Sequence, residues 1–170
     1  MMIRPAQSRD LDAIETVYAA ARAFMRKNGN LYQWINGYPQ RELLEEDVQK
    51  GQLFVLEENG GVHGVFAFIL GDDPTYAYIE GGRWLNDLPY GTIHRIGTDG
   101  AVHGAVKAAR DFALQYTDQV RADTHADNLP MQHTLEKNGF VRCGVIYLEN
   151  GDPRIAYHYS KEAAQPYENF

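Results

Sequence analysis

The segment that most constrains the fold is residues 91–107, GTIHRIGTDGAVHGAVK, where an extended run leads through a turn into a helix. Thr92, Ile93 and Ile96 favour a strand because branched side chains suit a pleated surface. Apolar residues then recur at helical spacing, which predicts a helix over residues 105–116. The turn carries glycines, which adopt conformations that a Cβ would obstruct, at Gly97, Gly100 and Gly104.

This turn predicts an anion site at the start of the helix. The first N–H groups of a helix have no partner within it, and the helix dipole adds partial positive charge at the same end. Phosphate groups bind readily at such a position. Glycine turns between a strand and a helix are common, however, so the motif alone leaves a purely structural role open.

Length and charge narrow the classes of protein that this chain can belong to. The 170 residues predict one domain, over residues 1–162, followed by a tail at 163–170. The net charge is −7 and no run of Lys or Arg stands out, so nucleic acid is not an expected partner.

The chain shows no sign of a membrane segment, a signal peptide or a metal site. No window is apolar over the length that a membrane span needs, and the N-terminus lacks a signal-peptide pattern. Cys143 is the only cysteine and cannot form an internal disulfide, so a cytoplasmic location is expected. No spacing of His, Cys, Asp and Glu suggests a metal ligand set.

Periodicity and turn signals predict an α/β chain in the order β-α-α-β-β-β-β-α-β-α-β-β. Ser8 is expected to cap the first helix, and Asn128 and Gly139 to begin and end the last one. The expected strands are residues 2–5, 53–57, 62–70, 76–80, 92–97, 120–125, 140–149 and 155–160, and the expected helices are residues 8–26, 40–49, 105–116 and 128–138.

Three segments resemble the GNAT superfamily of acyl-CoA N-acyltransferases. The first is the strand, turn and helix around Gly104, and the second is DTHADNLPM at residues 123–131. The third is LEKNGF at residues 135–140, which is similar to the end of a family helix and the start of the next strand. The resemblance covers residues 2–160.

The resemblance implies a GNAT-like fold and an acyl-CoA site. The fold has a mixed, mostly antiparallel central sheet, splayed between its fourth and fifth strands and flanked by about four helices. Those two strands match residues 92–97 and 120–125, and the pantetheine arm of acetyl-CoA would lie between them. Asn128 would contact this arm or fix the start of its helix.

The backbone around the turn would then hold the acyl donor. The N–H near Ile96 would donate to the thioester carbonyl and to the oxyanion that develops from it. The pyrophosphate would bind the backbone N–H groups of Val102, His103, Gly104, Ala105 and Val106.

The chain departs from the family pattern at two places. The family loop reads Gln/Arg-x-x-Gly-x-Gly/Ala, whereas residues 101–106 read AVHGAV, so a side-chain contact is lost and Val106 adds bulk. Many members carry a tyrosine that is thought to protonate the leaving thiolate four residues before the glycine equivalent to Gly139. Here that residue is Leu135, which cannot donate a proton.

His94 and His125 are the candidate catalytic bases because an imidazole titrates near the working pH. Each could equally be a hydrogen-bonded structural histidine. Glu80 is a third candidate base, and Asp123 could orient His125 or cap a backbone group. We interpret His63, His133 and His158 as surface residues. Cys143 is interpreted as a packed thiol.

An aromatic loop at residues 28–39 is either a lid over a pocket or packing beneath a surface loop. Aromatic rings can enclose an ammonium group or bind an apolar side chain. The residues expected around the acceptor are Trp34, Tyr38, Trp84 and Tyr147.

The preferred function is transfer of an acetyl group from acetyl-CoA to a primary amine of a small molecule, an amino acid derivative or a peptide. One alternative is a GNAT-fold protein that binds CoA or another ligand without transfer. Another is a partner-binding domain that uses the aromatic loop and no CoA. The sequence also leaves a homodimer open.

Overall fold

The computed structural model of the chain describes residues 1–162, and the tail expected at 163–170 lies outside them. Within these residues the strands are β1 Met2–Pro5, β2 Leu53–Glu58, β3 Gly61–Leu70, β4 Gly91–Thr98, β5 Gln119–Thr124, β6 Val141–Tyr147 and β7 Pro153–Ser160. The helices are α1 Leu11–Lys27, α2 Arg41–Gln49, α3 Ala105–Ala113 and α4 Leu129–Lys137.

The strands form a mixed sheet in the order β1-β2-β3-β4-β5-β7-β6. The β1-β2, β2-β3, β5-β7 and β6-β7 pairs are antiparallel. β4 and β5 are parallel and pair near the start of each strand, through Gly91↔Val120 and Thr92↔Arg121. This short parallel register agrees with the expected splay, and the predicted α/β class with four helices is confirmed.

The chain divides into two compact units. Unit 1 contains Met1–Phe68 and His94–Ala109, and unit 2 contains Ile69–Ile93 and the residues from Arg110 onward. The single domain expected over residues 1–162 stays a prediction. No helix of the described residues combines the length and the apolar character that crossing a membrane requires.

Unit 1 is built around the apolar face of α1. Ile14 and Tyr18 on this helix are fully buried, together with Leu44 of α2 and Val55 of β2. The turn between β2 and β3 places Asn59 and Gly60 at positive φ, which matches the hairpin expected there.

Ser8 does not cap α1, so this expectation was wrong. Ser8 instead begins a 3-10 turn, Ser8–Asp10, that precedes the helix. The carboxylate of Asp10 accepts a hydrogen bond from the Gln7 N–H at 2.8 Å, and it also binds two nitrogens of Arg4 at 2.8 and 2.9 Å. A carboxylate held by a guanidinium fixes the entry to the helix better than a hydroxyl does.

Unit 2 is centred on a buried aromatic group in the segment before β4. Tyr76, Trp84 and Tyr90 pack with Ile146 and Ala156 of the last two strands. The guanidinium of Arg121 in β5 lies 4.1 Å from the Trp84 ring centre and 3.8 Å from that of Tyr90. These cation–π contacts attach the segment to the sheet.

The strand expected at residues 76–80 is not formed. Pro74–Tyr76 is a 3-10 turn, and only Glu80 makes a bridge, to Val145 of β6. The side chain of Asp73 caps this turn by accepting from the Thr75 N–H at 2.9 Å. This local cap explains why a turn forms at the start of the expected strand. α3 likewise ends at Ala113, before the expected residue 116.

His158 is buried rather than on the surface, which corrects our interpretation. Its side chain is fully enclosed, and its Nδ1 accepts from the Leu85 N–H at 3.2 Å. Its Nε2 lies 2.9 Å from Oε1 of Gln119, so Nε2 carries the proton of the neutral ring. Burial, together with the charge of Arg121, lowers the pKa of His158 to about 4.

This buried histidine predicts a loss of stability at acid pH. The pKa in the folded chain lies below the unfolded value of about 6.5, so the neutral ring stabilises the fold above pH 6.5. That contribution, about 3 kcal/mol in the free energy of unfolding, is lost as the pH falls from 6.5 to 4. Denaturant unfolding at several pH values should show a clearly smaller loss in His158→Asn than in the wild type. His133→Asn, at an exposed histidine, is the control and should keep the wild-type dependence.

Candidate active site

Hydrogen bonds hold the first half of the loop that joins β4 to α3. Asp99 donates its N–H to the His63 carbonyl at 3.0 Å, and its carboxylate accepts from the Ala101 N–H at 2.9 Å. The His63 ring also bonds the Asp99 carboxylate at 2.8 Å, so His63 is a half-buried partner of the loop. These contacts fix where the second half of the loop begins.

The second half of the loop presents a row of unpaired backbone donors. Within residues 1–162, the N–H groups of Val102, His103, Gly104, Ala105 and Val106 make no hydrogen bond to protein atoms. The Ala108 amide of α3 donates to the Gly104 carbonyl at 2.9 Å. Five successive free donors at a helix start form a cradle suited to an anion with several oxygen atoms.

Gly104 is required here by backbone conformation and not by crowding. Its φ is 74°, and a Cβ at this residue would meet nothing within 4 Å. The flanking side chains of Val102 and Val106 are 5% and 6% exposed, so their bulk is in the interior. The added bulk expected at Val106 therefore does not cover the row of donors on its solvent side.

Ile96 and His94 both lie in β4 and are half-buried. Arg95 stands between them with φ of 50°, in the left-handed region that a residue with a side chain rarely adopts. This conformation turns the chain in the middle of the strand and sets the direction of the following peptide group. Sequence reasoning missed Arg95, because nothing in its residue type signals a left-handed conformation.

His125 follows β5 and is already engaged through one ring nitrogen. Its Nδ1 accepts a hydrogen bond from the Asp127 N–H at 2.9 Å, so the neutral ring carries its proton on Nε2. Burial and the charge of Arg154 lower the pKa of His125. Asp123 does not orient this ring, since it accepts from the Tyr76 hydroxyl at 2.6 Å.

Asn128 begins α4 as expected. Its Oδ1 accepts from the Met131 N–H at 3.1 Å, and the side chain is buried. Leu135, on the same helix, is 4% exposed. The helix ends at Lys137, and Gly139 just after its C-cap, with φ of 86°, fits the predicted glycine terminus.

The aromatic loop of unit 1 both packs and borders a cavity. Trp34 packs against the core and meets Tyr18 edge to face, with 5.4 Å between ring centres. The Tyr38 carbonyl accepts from Arg22 at 3.1 Å. An open cavity of about 380 Å³ adjoins the loop, and its lining includes Glu15, Arg22, Asn36, Gln40, Arg41 and Glu42.

The two aromatics expected around the acceptor in unit 2 have different surroundings. Trp84 is 9% exposed and donates its indole N–H to the Tyr76 carbonyl at 2.9 Å, so it is a core residue of this unit. Tyr147 is exposed, stacks on Tyr78 and donates to the Glu80 carboxylate. The Tyr147 hydroxyl thus holds the Glu80 carboxylate at the exposed surface.

Two other expectations concern metals and the cysteine. The described residues contain no group of three or more His, Cys, Asp or Glu side chains placed to hold a metal ion. Cys143 is buried, and burial raises the pKa of its thiol to about 11. The thiol is therefore packed and unreactive, as interpreted from the sequence.

The ring of His125 gives a prediction that needs no ligand. Since Nδ1 is an acceptor in the fold, the neutral ring should be the Nε2–H tautomer, with a pKa below 6.5. Long-range ¹H–¹⁵N spectra over a pH titration measure both quantities. A ring protonated on Nδ1 at neutral pH would contradict this assignment.

Comparison with known proteins gives matches over most of the chain. The model of the acetyltransferase (GNAT) domain matches residues 1–141. A solved GNAT-family acetyltransferase from Streptococcus agalactiae 2603 is 33% identical, with a TM-score of 0.81 over 94% of this chain and 95% of that one. No curated protein matches the sequence.

More distant structures share the fold. A GNAT-family acetyltransferase from Listeria monocytogenes 4b F2365 is 19% identical, with a TM-score of 0.67 over 94% of both chains. The GNAT-like decarboxylase GphF, solved with isobutyryl-CoA, is 14% identical, with a TM-score of 0.63 over 95% of this chain and 100% of that one. From the family match and the similarity to the streptococcal structure, the chain belongs to the GNAT acetyltransferase family.

Proposed function

We propose that the protein is an acetyl-CoA-dependent N-acetyltransferase that acts on a primary amine of a small molecule, an amino acid derivative or a peptide. The family assignment supports an acyltransferase. The observation that carries the proposal is the row of five unpaired N–H groups at Val102–Val106. A transferase of this kind is expected in the cytoplasm.

The residues present fit the diphosphate of CoA. The row supplies several donors to one group of oxygen atoms, and the dipole of α3 adds positive charge there. The donors belong to the backbone, so the first-position side chain that the family motif has and this chain lacks is not required. Asn128 is proposed to contact the pantetheine arm in addition to capping α4.

The peptide N–H of Ile96 is proposed to bind the acyl oxygen. A thioester supplies an acyl group with a good leaving group. As the amine nitrogen attacks the carbonyl carbon, negative charge grows on the carbonyl oxygen, and a fixed N–H donor stabilises it. The C–S bond then breaks, and the amine nitrogen loses a proton.

His94 and His125 are proposed for the proton transfers, in different roles. His94 would take the proton of the amine, directly or through water. The neutral ring of His125 carries its hydrogen on Nε2 while Nδ1 is engaged, so it would donate a hydrogen bond to the leaving thiolate, and it could donate a proton only as the imidazolium. Leu135 cannot protonate the thiolate, so this role is open to water or to His125.

The acceptor residues stay proposals. The cavity of unit 1 is lined by Gly37 and Pro39, on either side of Tyr38 in the sequence, and Tyr147 offers an exposed ring in unit 2. Trp34 packs against Tyr18, which also lines this cavity. The burial of Trp84 favours a supporting role for that residue. A homodimer remains an option for the assembly.

The second candidate is a CoA-binding protein without amine transfer. The hydrocarbon side chain at Leu135 and the altered loop motif favour it. The GNAT-like decarboxylase has the same fold, so the fold alone does not determine the reaction. Thiol release from acetyl-CoA, measured over a panel of amines, separates the two. Tight CoA binding with no turnover on any amine would support the second candidate.

Substitution of Gly104 tests the cradle. Gly104→Glu places a carboxylate beside the phosphates and should weaken acetyl-CoA binding well over tenfold by calorimetry, since like charges repel at short range. Gly104→Gln is the matched control because it carries the same strain at positive φ without the charge. Equal losses in the two variants would assign the effect to backbone strain, and unchanged binding in both would remove the site from this loop.

The two histidines are separated by the pH dependence of turnover. His94→Gln should lower kcat at least tenfold and remove the acidic limb of the pH–rate profile, because the base must be neutral. His125→Gln should lower kcat while keeping that limb. The dissociation constant of acetyl-CoA should change little in either variant. An acidic limb that persists in His94→Gln would exclude this residue as the base.

A further inference from the structure

The peptide group that joins Arg95 to Ile96 is held by a hydrogen bond to its carbonyl oxygen. The hydroxyl of Tyr18 donates a hydrogen bond to the Arg95 carbonyl oxygen at 2.7 Å. Tyr18 is fully buried in α1, and its ring is fixed edge to face against Trp34. Burial raises the pKa of Tyr18 above its usual value, so the hydroxyl keeps its proton and remains a donor.

The same stretch of β4 lies unusually close to α1. A Cβ built on Gly97 would stand 3.2 Å from the Ala21 methyl and 3.3 Å from the Tyr18 ring. A larger residue at this position would push the strand away from the helix. Gly97 therefore permits the approach that the Tyr18 hydroxyl needs to reach the backbone.

The side chain of Arg95 anchors the strained conformation from another direction. With φ of 50°, this residue occupies a region that costs on the order of 1 kcal/mol or more for a side chain with a Cβ. Its Nη2 donates to Oδ2 of Asp47 at 2.5 Å. The two side chains are 12% and 3% exposed, so the ion pair is largely shielded from water.

We propose that Tyr18 is a positioning residue for acyl transfer, which holds the Arg95–Ile96 peptide so that the Ile96 N–H faces the acyl oxygen. A trans peptide is planar, and its N–H points opposite to its carbonyl. A hydrogen bond that fixes the oxygen therefore fixes the N–H as well. Donation to the carbonyl also polarises the peptide and makes its N–H a stronger donor. The ion pair of Arg95 with Asp47 keeps the same peptide in place.

This inference rests on the proposed function, in which Ile96 binds the acyl oxygen, and adds a residue whose hydroxyl acts on that peptide group. Tyr18 acts through one peptide group, so it should affect the transition state and leave cofactor affinity almost unchanged. The diphosphate cradle at Val102–Val106 makes no hydrogen bond to Tyr18.

The test is Tyr18→Phe, which removes the hydroxyl and keeps the ring against Trp34. We expect kcat to fall about tenfold, less than the loss when an oxyanion donor is deleted outright. The calorimetric Kd of acetyl-CoA and the KM of the amine should stay within about twofold of the wild type. Tyr157→Phe is the matched control, because it removes a buried hydroxyl that bonds Glu136 at 2.8 Å elsewhere in the chain. This control should keep the wild-type kcat.

A spectroscopic measurement tests the same contact without any assay. Loss of the hydrogen bond to the Arg95 carbonyl should move the Ile96 amide ¹⁵N resonance upfield in Tyr18→Phe and leave it in place in Tyr157→Phe. Asp47→Asn, which weakens the second anchor, should shift the same resonance and lower kcat in the same direction. It serves as a second route if Tyr18→Phe folds poorly.

The outcomes separate the two proposals. A wild type that turns over, with Tyr18→Phe equal to it in kcat and in the Ile96 resonance, overturns the positioning role and leaves the transferase intact. A wild type that releases no thiol with any amine overturns the proposed function. In that case the Ile96 resonance still tests the contact. An unchanged resonance in Tyr18→Phe would also overturn the claim that Tyr18 fixes the Arg95–Ile96 peptide, and a shifted resonance would support it. An equal fall in kcat in Tyr157→Phe would show a general loss of packing and would overturn the specific role.

Discussion

Unit 1 depends on a buried polar contact between α1, α2 and β4. Tyr18 and Asp47 bind the backbone and the side chain of one residue, Arg95, which the strand holds in a left-handed conformation. Removing one partner of a buried ion pair leaves an uncompensated charge, so such a contact is intolerant of partial loss. The peptide group that follows Arg95 is the one at Ile96.

The row of free amides at Val102–Val106 contrasts with the Arg95–Ile96 peptide, whose oxygen is held by a side chain. Among residues 1–162 these backbone donors have no partner, and they lie at a helix start where solvent or an anion can satisfy them. Gly104 supplies the turn, and the buried side chains of Val102 and Val106 hold the row in place. The donors belong to the backbone, so the side-chain departures from the family motif in the segment AVHGAV do not remove them.

The parts that sequence reasoning predicted correctly depend on neighbours in the chain. Asn128 accepts from an amide three residues on, Gly139 ends the same helix, and Asn59 and Gly60 form the hairpin turn. Each is a local preference that the residue type carries with it. The free amides belong to this class too, because they follow from where a strand stops and a helix starts.

The parts that it missed depend on distant partners. Tyr18 lies 77 residues from Arg95, and Asp47 lies 48 residues from it. A helix expected over residues 8–26 gives no reason to expect a bond from the Tyr18 hydroxyl to a distant carbonyl. His158 was interpreted as a surface residue, whereas Gln119 and Leu85 complete its hydrogen bonds in the interior. Asp73 similarly redirected residues 74–76 into a turn.

The placement of the two tryptophans has a practical consequence. Trp34 packs against the core of unit 1, and Trp84 lies in that of unit 2, beneath the guanidinium of Arg121. Each indole therefore reports on its own half of the molecule through its intrinsic fluorescence. Replacing either one by phenylalanine would leave a single emitter, so that melting of the halves could be followed separately and their cooperativity read from whether the two curves coincide.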